Sequence, residues 1–144
     1  MFVVFDLDGT LANCEHRLHH ITGGEKPTSA QWDAFFADCE GDSPIEHTVA
    51  VALALMVDGH RVEIWSARSD QVRAETETWL VETCRIGPPI RMRQKGDHRN
   101  DDILKAEWIA EHGRPDLVFE DRARVVKMWR SMGVPCFQVA DGDF

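Results

Sequence analysis

The sequence predicts a doubly wound α/β domain, a parallel sheet with helices on both faces and a small helical cap inserted after the first strand. Three observations carry this expectation. Phe2-Val3-Val4-Phe5 is a short unbroken apolar run, the mark of a strand buried on both faces. It leads directly into Asp6-Leu7-Asp8-Gly9-Thr10, two carboxylates one residue apart. Unpaired carboxylates cannot lie in a core, so both belong at the strand's carboxyl end, where open α/β sheets bind ligands. Strand-like and helix-like stretches then alternate along the chain, the pattern of βαβ units.

After the first strand, Gly9 permits a sharp turn whose backbone amides can face an anion. Arg17 follows closely and either reaches a substrate or is solvated. Gly23, Gly24 and Pro27 mark a loop, and Thr28 or Ser29 then caps a helix. Trp32, Phe35, Phe36 and Cys39 fall on one stripe of that helix. Such a stripe is core more often than a platform for nucleobases. These elements, roughly residues 15–45, form the expected cap. Pro44 to Asp58 is apolar on most sides, which predicts a buried helix ended by Gly59.

Arg61 to Trp65 alternates as a second strand and ends in Ser66-Ala67-Arg68, a hydroxyl and a guanidinium able to bind an anion. Ser69 or Asp70 caps the next helix, with Val72, Thr76, Trp79, Leu80 and Thr83 facing inward. Gly87-Pro88-Pro89 breaks the chain before a third strand, Ile90 to Met92. Arg91, Arg93, Lys95, His98 and Arg99 are a local basic concentration, read as a solvated loop or, from its place after a strand, as a substrate contact. Asn100 or Asp101 caps a helix with Leu104 and Trp108 inside. Lys105 lies near that helix's N-terminal end, where the dipole already favours an anion. Asp116 to Phe119 is a fourth strand ending in the acidic pair Glu120-Asp121, suited either to helix capping or to an oxygen-ligated Mg²⁺. A helix from Arg122 places Val125, Met128, Trp129 and Met132 on one face, and Cys136 to Val139 is a fifth strand.

Composition bounds the rest. A chain of 144 residues with 43% hydrophobic residues suits one domain with its own core. Its longest apolar run, Val49 to Val57, is nine residues, too short to span a membrane. Four scattered cysteines lack metal-ligand spacing and predict free thiols in a cytoplasmic protein. With the first strand starting at Phe2, no signal peptide is expected. A formal charge of −9 argues against strong binding along a duplex, while a few local cations can still hold one phosphorylated end.

Asp6-x-Asp8-Gly9-Thr10, then Ser66, Lys105 and Glu120-Asp121 at successive element ends, resembles the four motifs of the haloacid dehalogenase (HAD) superfamily, mostly phosphotransferases. The chemistry fits the spacing. Asp6 can attack phosphorus and form an aspartyl-phosphate, and Asp8 can protonate the leaving oxygen. An EF-hand loop is excluded, because that pattern wants three acidic or amide positions before its glycine. The stretch Gly96 to Lys105 and the tail from Asp121 to Phe144 are similar to the 3′-phosphatase domain of phage polynucleotide kinase. This resemblance implies a Mg²⁺-dependent polynucleotide 3′-phosphatase. It implies functional roles for Asp6, Asp8, Arg17, Ser66, Arg68, Arg93, Asp101, Lys105, Glu120 and Asp121. In that family the acidic pair is usually two aspartates, so Asp121 is the stronger expected metal ligand and Glu120 the weaker. Asp6 and Asp8 complete the expected metal set. The partner implied is a nucleic-acid 3′-phosphate end or a nucleotide. The chain begins five residues before Asp6, which leads to the expectation that any kinase or ligase is a separate partner. Rival expectations are a phosphatase of mononucleotides or small phosphometabolites and a non-enzymatic phosphate-binding module.

Overall fold

The computed structural model describes residues 1–24, 26–87 and 89–142. Pro88 of the expected break and Asp143 and Phe144 of the tail lie outside the described residues. In chain order the elements are β1 (Phe2–Phe5), β2 (Ala12–Asn13), α1 (Ser29–Ala37), β3 (Ser43–Pro44), α2 (Glu46–Val57) and β4 (Arg61–Ser69). They continue with α3 (Arg73–Trp79), β5 (Ile90–Arg93), α4 (Asp101–His112), β6 (Leu117–Arg122), α5 (Ala123–Ser131) and β7 (Cys136–Gly142).

The main sheet has the strand order β5-β4-β1-β6-β7, and every adjacent pair is parallel. β1 sits at the centre, as its apolar run requires. Side chains alternate across the sheet. Val3, Phe5, Val62 and Ile64 pack on one face with α2 and with Trp79 and Leu80. Val4, Trp65 and Val118 pack on the other with Leu104 and Trp108 of α4 and Val125, Val126 and Trp129 of α5. Helices therefore cover both faces, and the doubly wound α/β expectation holds.

The cap follows β1. It contains a 3₁₀ turn (Glu15–His20), α1, a second 3₁₀ turn (Asp38–Gly41) and the antiparallel pair β2–β3. Thr28 caps α1 in a capping box: its hydroxyl accepts from the Gln31 backbone at 3.3 Å, and the Gln31 side chain accepts from the Thr28 backbone at 2.9 Å. Phe35, Phe36 and Cys39 are buried against Cys14, Val72 and Met92, which fixes the cap to the sheet's carboxyl edge.

Four expectations need correction. α2 is not buried all round: Val57 is 89% exposed and Val51 is 41% exposed, so the helix covers one sheet face and shows apolar residues outward. Thr83 faces solvent, because α3 runs into a π turn (Leu80–Cys84). The wider turn advances the inward direction by one residue, to Cys84. Met132 lies beyond the end of α5 and is exposed. Arg91 does not join the other basic residues. It lies 3.7 Å from Glu63 and is not among the residues lining the cleft that Arg93, Lys95, His98 and Arg99 line. The four cysteines are free and buried.

Candidate active site

β1 and β6 end side by side, and α4 begins above them. This brings Asp6, Lys105, Glu120 and Asp121 together from positions up to 115 residues apart in sequence. The Asp6 amide still donates to Phe119 O at 2.9 Å, so the ladder between β1 and β6 fixes its backbone. Lys105 Nζ donates to Asp6 Oδ1 at 2.5 Å and to Glu120 Oε2 at 2.7 Å. Glu120 Oε1 accepts from the Arg122 amide at 3.3 Å, which engages its second oxygen.

All four of these residues are buried. One ammonium bridges two of the three carboxylates, and the Arg122 guanidinium, held by Asp101, adds a second positive charge nearby. Burial first, then the neighbouring charge of Glu120, pushes Asp6 up to about 7 despite Lys105. Burial, followed by the Asp6 charge, pushes Asp121 up to about 7. Lys105 is driven up by Asp6 and Glu120, against burial, and stays an ammonium. One oxygen from each of Asp6, Glu120 and Asp121 lies within 4.8 Å of the others. Clustered carboxylate oxygens suit a hard divalent cation. The turn after β1 is shaped to leave them room. Gly9 has φ +85°, and a Cβ there would stand 2.2 Å from Asp121 Oδ2. Asp6 and Asp121 are best placed to hold such an ion, since both Glu120 oxygens are engaged.

Asp8, two residues on, has the opposite surroundings. Arg17 Nη2 donates to its Oδ1 at 2.6 Å, and Arg68 Nη2 donates to the same oxygen. Both guanidiniums also hold Asp42: Arg17 Nε at 2.7 Å and Nη2 at 2.8 Å, Arg68 Nη2 at 2.8 Å. Burial opposes ionisation of Asp8, but Arg68 and Arg17 outweigh it and hold the carboxyl at about 2. Two carboxylates and two guanidiniums thus close a neutral network under the cap.

Both networks open on one cleft of about 580 Å³ between the sheet edge and the cap. Nine of the ten expected site residues line it: Asp6, Asp8, Ser66, Arg68, Arg93, Asp101, Lys105, Glu120 and Asp121. Ser66 is buried and its hydroxyl accepts from the Arg68 amide at 3.1 Å, which fixes the oxygen and leaves its proton free to donate. Arg17 differs: it is wholly buried behind Asp8, with its guanidinium 4.0 Å from the centre of the Phe35 ring. Arg93 reaches the cleft through bonds to the carbonyls of Ala67 (2.8 Å), Asp97 (3.1 Å) and Arg99 (2.6 Å), and to Asp101 Oδ1 at 2.8 Å. Asp101 therefore positions two arginines, since Arg122 donates to its Oδ2.

Asp42, Thr76 and Arg122 carry no site signal in the sequence. Asp42 meets Arg17 across 25 positions and Arg68 across 26, which no local spacing encodes. Thr76 accepts from Arg68 Nη1 at 3.1 Å, although its helical periodicity marks only an inward position. Arg122 reads as a helix start. Its neighbours Glu120 and Asp121 were the available hint.

Comparison with known proteins places the chain in a family. Residues 1–144 match the family described as the polynucleotide kinase PNKP phosphatase domain. A chain of the Pnkp1/Rnl/Hen1 RNA repair complex superposes with a TM-score of 0.80 at 29% identity, covering 99% of this chain and 43% of that one. A chain of a second Pnkp1/Rnl/Hen1 complex gives 0.80 at 30% identity, covering 99% and 47%. The present chain thus spans under half the length of these relatives. The class C acid phosphatase from Bacillus anthracis shares the fold, with a TM-score of 0.66 at 14% identity over 99% of this chain and 67% of that one. With this family match over its whole length and a HAD-type parallel sheet, the chain belongs to the family of polynucleotide kinase phosphatase domains.

Proposed function

We propose that the chain is a Mg²⁺-dependent phosphomonoesterase that removes 3′-phosphate from polynucleotide ends. The observation that carries this is the pair Asp6 and Asp8: two carboxylates one residue apart on one cleft, one beside Lys105 and two further carboxylates, the other gripped by two arginines. Asp6 attacks phosphorus in line and the ester bond breaks, leaving an aspartyl-phosphate. Asp8, ionised in the free protein, takes up a proton from solvent as the phosphate dianion binds and passes it to the departing 3′-oxygen. It then takes a proton from the water that cleaves the aspartyl-phosphate, which restores both carboxyls and releases phosphate. A phosphate dianion beside Asp8 favours the protonated form this step needs. Ser66 and Arg68 bind the phosphoryl oxygens, while Arg17 holds Asp8 in place from behind. Lys105 favours the ionised form of Asp6 against burial and Glu120 and holds it at 2.5 Å beside the bound dianion's place. Asp6 and Asp121 would hold Mg²⁺, which offsets repulsion between nucleophile and phosphate.

The family supports polynucleotide ends as the substrate class, and Arg93 and Arg68 at the cleft supply the cations for a phosphorylated terminus. The Pnkp1/Rnl/Hen1 complexes support a setting in which kinase and ligase activities work alongside. The deciding experiment compares catalytic efficiency on oligonucleotides phosphorylated at the 3′ or 5′ end and on mononucleotides. The 3′-phosphorylated oligonucleotide should be hydrolysed best, with a shallow salt slope equivalent to two or three contacts at about 0.7 each. Best turnover of 5′-mononucleotides would replace this reading with a nucleotidase.

A further inference from the structure

We infer that the cap wall built on Trp32 is a stacking subsite for the nucleobase of the nucleotide bearing the 3′-phosphate. The inference rests on the 3′-phosphatase reading above and names which part of the substrate this wall takes. As a sequence feature the stripe Trp32, Phe35, Phe36 could be core alone. The structure separates its members. All three line the same cleft as Asp6 and Asp8, but Phe35 and Phe36 are buried whereas Trp32 is only partly so and keeps the larger exposed surface. A large indole surface left on the wall of a reaction cleft is costly in water and suits a flat apolar ligand group. Ile21 and Pro27 extend that apolar side.

The same cleft is also lined by the cations Arg93 and Lys95. A nucleotide has both halves, a flat base and a dianion. A cleft of about 580 Å³ is much larger than a phosphate group alone requires.

The aromatic wall is also held rigid relative to the reacting carboxylates. Trp32 stacks on Phe36 (5.8 Å between centroids, 28°) and meets Phe35 edge-on (5.6 Å, 87°). Phe35 lies under the Arg17 guanidinium, whose Nη1 donates to the Phe35 carbonyl at 3.1 Å and whose Nη2 donates to Asp8. Gln71 Nε2 donates to Asp33 Oδ1 at 3.1 Å and ties α1 to the segment after β4. A base stacked on Trp32 would thus be held in register with the proton donor. Stacking is tolerant of base identity, because every base presents a π face.

The test measures kcat and KM on two substrates of equal length. Both carry a 3′-phosphate, and one has an abasic residue in place of the terminal nucleotide. The wild type should favour the base-bearing substrate by roughly 5- to 100-fold, through KM rather than kcat. In Trp32→Leu that ratio should fall towards one, and in Trp32→Phe it should stay within about threefold of wild type. Because a ratio is read on each protein, a general loss of folded enzyme cancels. In the wild type, photocrosslinking of a 3′-terminal 5-iodouridine should map to α1. A wild type that cleaves the 3′-phosphate with no preference for a base, a ratio unchanged in Trp32→Leu, or a crosslink mapped away from the cap would each overturn the inference. A wild type that leaves both 3′-phosphorylated substrates intact would instead overturn the 3′-phosphatase reading itself.

Discussion

Asp6 and Asp8 are the same residue type, one residue apart, at the end of the same strand, yet their surroundings are opposite. Asp6 shares Lys105 with Glu120 and stands near Asp121, and its carboxyl is pushed up to about 7 by burial and by Glu120. Asp8 shares two guanidiniums with Asp42, so charge is balanced and its carboxyl is held at about 2. The difference arises from topology. The Asp6 side faces β6 and α4, which bring two further acids and one ammonium. The Asp8 side faces β4 and the cap, which bring Arg68, Arg17 and Asp42. The acidic half gathers three carboxylates round one bridging ammonium, whereas the other half pairs two carboxylates with two guanidiniums.

The largest effect expected breaks the Asp6 half. Asp6→Asn is nearly isosteric and should keep the fold while removing the nucleophile, with turnover falling on the order of 10⁴- to 10⁶-fold. Phosphopeptide mapping of trapped wild-type enzyme checks the assignment, and a label on any other residue would contradict it. The next breaks the other half. Asp42→Ala leaves Arg17 and Arg68 buried with Asp8 alone, and should cost about 3–5 kcal/mol in denaturant unfolding. A loss under about 1 kcal/mol would show that the network does not depend on Asp42. A smaller effect sharpens the comparison. Lys105→Ala should lower kcat by about 10²- to 10³-fold with less change in KM, because its charge matters most in the transition state. Lys105→Arg should recover little, since a planar guanidinium cannot bridge Asp6 and Glu120 as a compact ammonium does. Wild-type kcat in Lys105→Ala would make it an ordinary helix lysine.

Much of this was legible in the sequence because it lies at element ends. Buried parallel strands announce themselves as apolar runs, and polar residues that follow them at once must face the ligand edge. That logic placed Asp6, Asp8, Ser66, Arg68, Glu120 and Asp121 on one cleft, and the dipole argument added Lys105. The network behind Asp8 was not legible. Arg17 sits in a short 3₁₀ turn and Asp42 just after another, and only the folding of the cap onto β4 makes them neighbours. Nor could periodicity reveal that Arg17 is buried whereas Trp32 opens on the cleft, since both depend on how the cap leans. The π turn after α3 and the exposed apolar side of α2 were missed for a related reason. Sequence periodicity assumes a regular helix and does not say what covers each face.

The division between the two halves is tested most directly by thermal unfolding with and without Mg²⁺, on the wild type, Asp121→Asn and Asp42→Asn. Without Mg²⁺, Asp121→Asn should unfold no lower than wild type, because it removes repulsion, and Asp42→Asn should unfold lower, because it breaks a balanced network. Mg²⁺ at about 100 times its Kd should stabilise wild type and Asp42→Asn by about 2.7 kcal/mol each and leave Asp121→Asn nearly unmoved. A wild-type Tm indifferent to Mg²⁺, or an Asp121→Asn variant stabilised as much as wild type, would contradict the assignment of the acidic half to a divalent cation.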